Sequence, residues 1–99
     1  MVIGVQLDFK GATLEQYDEV LESGGYLPGG PSVSDALFHW VTKTDDGIRI
    51  IDVWESRQAF ETYAAEHNPR AFHDAGAPEA PEIQFFEVHN YLTWGRRRS

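Results

Sequence analysis

The sequence predicts an α+β domain in which two helices cover one face of a four-stranded antiparallel sheet. Three observations lead there. Four segments carry β-branched and apolar residues in partial alternation, and two others carry apolar residues at helical spacing. Glycine, proline and Asp-Gly signals mark the junctions between them. At 99 residues and 41% apolar composition, the chain supports one hydrophobic core, since a chain of this size buries only about 60–68% of its unfolded surface.

Residues 2–9 (Val-Ile-Gly-Val-Gln-Leu-Asp-Phe) read as the first strand. Thr13-Leu14-Glu15-Gln16 has the form of a capping box, with Thr13 as N-cap and Gln16 reaching back. Leu14, Tyr17, Val20 and Leu21 follow at helical spacing, and Gly24-Gly25 should end that helix. The stretch from Gly24 to Pro31 holds four glycines and two prolines and reads as a loop, with Tyr26 and Leu27 as a possible apolar lid tip. Strand two is expected from Asp35 to Lys43 and strand three from Ile48 to Glu55, joined through Thr44-Asp45-Asp46-Gly47, a tight-hairpin signal. Ser56 suits the N-cap of a second helix with Ala59, Phe60, Tyr63 and Ala64 on its core stripe. Asn68-Pro69 should interrupt it, a short turn from Arg70 to Ala75 follows, and residues 77–81 form a stiff connector. Residues 82–92 complete the set as the last strand.

The resulting order, βαββαβ, points to a ferredoxin-like arrangement. Residues 1–93 form the single domain and residues 94–99 a flexible basic tail. Strand three places Ile48, Ile50, Asp52 and Trp54 on one face, against Arg49, Ile51, Val53 and Glu55 on the other. The last strand likewise opposes Ile83, Phe85, Glu87, His89 and Tyr91 to Gln84, Phe86, Val88 and Asn90. Large apolar groups therefore stand on both faces, whereas a sheet with one wet face alternates cleanly. Two helices cover one face only, so the second calls for a homodimer packed sheet to sheet.

Composition narrows the function. Residues 1–95 hold 5 basic against 16 acidic side chains, and an acidic body repels phosphate backbones, so no nucleic-acid partner is expected. The absence of cysteine removes disulfides, thiolate metal sites and thiol nucleophiles. The four histidines lack metal-ligand spacing, and the glycine-rich loop lacks the Lys and Ser/Thr of a phosphate cradle. No segment has the ~20 apolar residues of a membrane span, and no basic leader opens the chain, so no membrane partner and a cytoplasmic location are expected.

Val53-Trp54-Glu55-Ser56, followed by Ala59-Phe60, resembles the antibiotic biosynthesis monooxygenase-like group of dimeric α+β barrels, where such a strand runs directly into a helix whose next turn carries Phe. The similarity is close from strand three through the second helix and extends elsewhere by element order. It implies a dimeric α/β barrel with a pocket between sheet and helices. It also implies cofactor-independent monooxygenation or cyclisation of a small aromatic, polyketide-like ligand. Against the haem-degrading branch of that superfamily, His73 matches the family histidine, while Tyr63 and Gly4 stand where those members carry Trp and Asn. The alternative is a non-catalytic ligand-binding or accessory protein of the same architecture.

If the chain is an enzyme, the resemblance implies that a base withdraws a phenolic proton and uncharged donors steady the developing oxyanion. His73 is the first candidate base and His39 the second. Tyr17, Tyr63 and Asn90 would orient the substrate, and Trp40 or Trp54 would supply a flat wall. Each has a plainer reading. His73 sits equally well on a surface turn, and His39, sharing parity with Leu37 and Val41, as a satisfied core histidine. The aromatics suit the core, Asn90 the end of a strand, and His89 a dimer contact. Asp52, central in an apolar strand, needs a partner: His89, Arg49 or a residue of a second subunit, with an ion pair across the dimer as its expected role.

Overall fold

In the computed structural model, residues 1–26, 36–66 and 80–92 are described. They form β1 (Ile3–Lys10), α1 (Leu14–Gly24), β2 (Ala36–Lys43), β3 (Gly47–Trp54), α2 (Arg57–Glu66) and β4 (Glu82–Glu87). The strands make one antiparallel sheet in the order β2-β3-β1-β4, compatible with a ferredoxin-like fold. The loop from Leu27, the Asn68-Pro69 break, the turn bearing His73, residues 77–79 of the connector and the basic tail lie outside the described residues.

Local signals set the element ends. Thr13 Oγ1 accepts from the Gln16 amide at 3.1 Å, and Gln16 Oε1 accepts from the Thr13 amide at 3.0 Å, so two otherwise orphaned helix donors are satisfied together. Gly25 closes α1 at φ 82°, a left-handed conformation that glycine adopts without a Cβ penalty. Ser56 Oγ caps α2 by accepting from the Ala59 amide at 3.1 Å. Gly47 answers a different demand: a Cβ there would stand 2.0 Å from the Phe9 carbonyl oxygen.

The core lies between the sheet and both helices. Ile3, Val5, Leu7 and Phe9 of β1, with Ile48, Ile50 and Trp54 of β3, are buried there. Tyr17 of α1 and Phe60 of α2 are buried with them, while Val20, Leu21, Ala59, Tyr63, Ala64 and Phe85 pack at the margin. On the opposite face, Phe38, Trp40 and Phe86 stand 46%, 47% and 49% exposed. The register aligns Phe38 with Val53, Val53 with Gly4 and Gly4 with Phe86, giving that face a continuous apolar row at one end. Its other end is polar, where the Arg49 guanidinium donates to Asp8 across the strands at 2.6 Å.

The last strand is shorter than its composition predicts. It ends at Glu87, which is paired with Ile3, the first residue of β1. Beyond that point the neighbouring strand has run out, and pairing tapers to one Val88 amide bond to the Val2 carbonyl at 3.4 Å. His89 and Asn90 consequently lie past the sheet and are exposed. No helix among the described residues is long and apolar enough to cross a membrane.

Candidate functional site

Among the described residues, one carboxylate is buried inside the core. Asp52 is 6% exposed among otherwise apolar buried residues, and a carboxylate so placed must be hydrogen-bonded. Both of its oxygens are. His39 Nδ1 lies 2.6 Å from Oδ1, and the Trp54 indole Nε1–H donates to Oδ2 at 3.2 Å. The other imidazole nitrogen, Nε2, is hydrogen-bonded to the Tyr17 hydroxyl. An unbroken line thus runs from Trp54 through Asp52 and His39 to Tyr17, linking β3, β2 and α1.

Donor and acceptor roles follow from the chemistry of the groups. An ionised carboxylate only accepts, so Nδ1 carries a proton and donates to Asp52. A neutral imidazole then holds its lone pair on Nε2, and the Tyr17 hydroxyl is the donor there. The phenol and imidazole planes lie 9° from parallel with centroids 5.8 Å apart. Burial, reinforced by the charges of Asp52 and Asp18, pushes the Tyr17 phenol up to about 12, so Tyr17 remains a neutral donor at physiological pH.

Aromatic residues of α2 back the line from behind. Phe60 meets Trp54 edge-on at 5.7 Å, and Tyr63 tilts against it at 5.4 Å. The Tyr63 hydroxyl is also pushed up to about 12, by burial first and then by its contact with Tyr26. Tyr26 is part of the α1 C-terminal cap, its amide donating to the Leu21 carbonyl at 2.9 Å. The residue expected at the tip of a lid is therefore tied to both helices.

Of the residues expected in a site, the fold gathers Tyr17, His39, Trp54 and Tyr63 around Asp52. Trp40 follows His39 on the same strand, so its side chain projects from the opposite face, and it supplies no wall here. Asn90 is exposed beyond β4 and joins no described hydrogen bond of the cluster. His73 lies outside the described residues. The expected partners of Asp52 are also corrected. Arg49 pairs with Asp8 on the other face, His89 is exposed past the sheet, and the helix-covered carboxylate bonds to His39 of its own chain.

The His39–Asp52 contact was missed, although its signal lies in the hairpin. A Thr44–Gly47 turn that pairs Lys43 with Ile48 brings His39 directly opposite Asp52, as the register has it. An open groove lined by Asp8, Lys10, Asp46, Arg49 and Glu82 lies at the hairpin end and shares no residue with the cluster. No group of three or more His, Asp and Glu converges on a metal-sized site among the described residues. Neither a protein-family model nor a curated protein matches this sequence.

Proposed function

We propose that the chain is a cofactor-independent monooxygenase or cyclase of a small phenolic or quinonoid substrate, with His39 as its base. The observation that carries this reading is the Tyr17–His39–Asp52 line. It holds a phenolic O–H against an imidazole lone pair, the contact that withdrawal of a phenolic proton requires. Asp52 prepares His39 for that step by occupying Nδ1 and by stabilising the imidazolium that would form. Tyr63, kept neutral by burial, supplies a donor toward a developing oxyanion.

The working unit in this reading is a homodimer of the antibiotic biosynthesis monooxygenase-like type. Its support is the exposed row of Phe38, Trp40 and Phe86, backed by Ile51 and Val53. Sedimentation should give a particle twice the 11.2 kDa chain mass, and Trp40→Glu with Phe86→Glu should dissociate it. A soluble wild-type monomer removes the dimer from the reading.

A non-catalytic, ligand-binding or accessory role is favoured by a different observation. The Tyr17 hydroxyl already occupies Nε2, and every buried side-chain polar atom described is satisfied within the chain. One experiment separates the two. A panel of phenols and hydroxyquinones is titrated against the protein while oxygen uptake and His39 imidazole resonances are followed. Enzyme chemistry requires oxygen uptake or, for a cyclase, a change of substrate absorbance without uptake, that His39→Ala abolishes while circular dichroism stays unchanged; His73→Ala, measured alongside, tests the other candidate base. Full turnover by His39→Ala refutes its role as base, and no response to any compound leaves the accessory reading.

A further inference from the structure

We infer that Trp54 is a positioning residue for His39, acting through Asp52 rather than as a wall for a ligand. The inference rests on the reading of His39 as the base, and it concerns how that base is kept in one protonation form.

A carboxylate turns easily about its terminal bond, because such sp³–sp² torsions have broad minima. A single donor would leave Asp52 free to swing. Two donors on different oxygens do not: His39 Nδ1 takes Oδ1 at 2.6 Å and the Trp54 indole takes Oδ2 at 3.2 Å. At 2% exposure Trp54 has no room to move, since Phe60 and Tyr63 hold its ring from α2. Its N–H is consequently a fixed point. With Oδ2 held there, Oδ1 faces Nδ1, and His39 keeps its proton on that nitrogen with the Nε2 lone pair turned to a phenol. The packing of α2 thereby sets the tautomer of a histidine on β2 through two residues of β3, Trp54 and Asp52.

Without the indole N–H, Oδ2 is a buried acceptor lacking its partner. The carboxylate then gains by rotating toward other donors, at the expense of its alignment with Nδ1. The loss should appear at His39, although Trp54 does not contact that ring among the described interactions.

The test replaces Trp54 in the full chain, site-specifically, by the benzothiophene analogue of tryptophan, which keeps the ring shape and puts sulfur in place of N–H. Trp54→Phe is the second variant. Imidazole nitrogen shifts of His39 are read by NMR without any ligand. The expected result is a wild-type ring almost wholly in the Nδ1–H form and a several-fold rise of the Nε2–H form in the analogue, with unchanged circular dichroism. Where a phenol is turned over, kcat should fall on the order of tenfold with KM unchanged, the scale on which loss of an orienting partner is felt. A folded analogue whose His39 tautomer matches wild type overturns the inference. A shifted tautomer in a protein that turns over no phenol upholds the positioning role and refutes the phenol chemistry instead.

Discussion

Replacing Asp52 by asparagine tests the polar line at its centre, because the change is nearly isosteric and alters only charge and hydrogen-bond direction. Two N–H donors now converge on the side chain, His39 Nδ1 at 2.6 Å and Trp54 Nε1 at 3.2 Å. An amide offers one accepting oxygen and one donating NH₂. If the oxygen faces His39, the NH₂ meets the indole N–H, donor against donor in a buried place. If the oxygen faces Trp54, the NH₂ faces Nδ1, which must give up its proton to Nε2. Tyr17 then changes from donor to acceptor. The second arrangement satisfies the amide, the indole and both imidazole nitrogens, so Asp52→Asn should reverse the His39 tautomer. Its cost is two hydrogen bonds to a charged group, worth roughly 1.5–3 kcal/mol each, exchanged for neutral ones of roughly 0.5–1.5 kcal/mol. Relief of the desolvation of a buried charge offsets part of that difference. A net destabilisation of about 1–2 kcal/mol remains, and at roughly 4–8 °C per kcal/mol for a domain of this size Tm should fall by about 4–16 °C. Thermal melts and imidazole nitrogen shifts measure both consequences. An unchanged Tm together with a retained Nδ1–H form would refute the assignment of donors and acceptors on which the site rests.

Three further outcomes are expected. In a spectrophotometric alkaline titration, Tyr17 and Tyr63 should ionise near 12; because a raised phenol favours the folded state only while neutral, stability should be full below pH 10 and drain away between pH 10 and 12. The Asp8 carboxyl is held below its ordinary value of 3.8 by its hydrogen bond to Arg49, so the Tm gap between wild type and Asp8→Asn should be small and constant above pH 4 and should close as acid protonates Asp8. Gly47→Ala should destabilise by about 1–3 kcal/mol or more in urea melts, because the new Cβ meets the Phe9 carbonyl oxygen of β1 rather than a side chain that can turn aside.

Much of the architecture was legible along the chain, and the reasons are local. The Thr13–Gln16 box, the Gly25 cap and the Asp46-Gly47 turn act within a few residues of themselves. Element spans read from them agree with the fold to within a residue or two everywhere among the described residues except at the end of β4. Period-two alternation likewise separated His39 from Trp40, and it set Asp52 and Trp54 on one face. The error at β4 shows the limit of such signals, because a strand continues only while a neighbour is there to pair with it, and β1 begins at Ile3.

The sequence by itself determined the kinds of element, their order and which residues share a face. Only the tertiary structure decided which face of the sheet the helices cover, and with it whether Asp52 meets solvent, a second subunit or His39. That choice is made by contacts between residues distant in the chain: Tyr17 reaches His39 across 22 positions and His39 reaches Asp52 across 13. Each of those polar groups gains its place only because the others arrive at the same buried spot, where water cannot stand in for a missing partner.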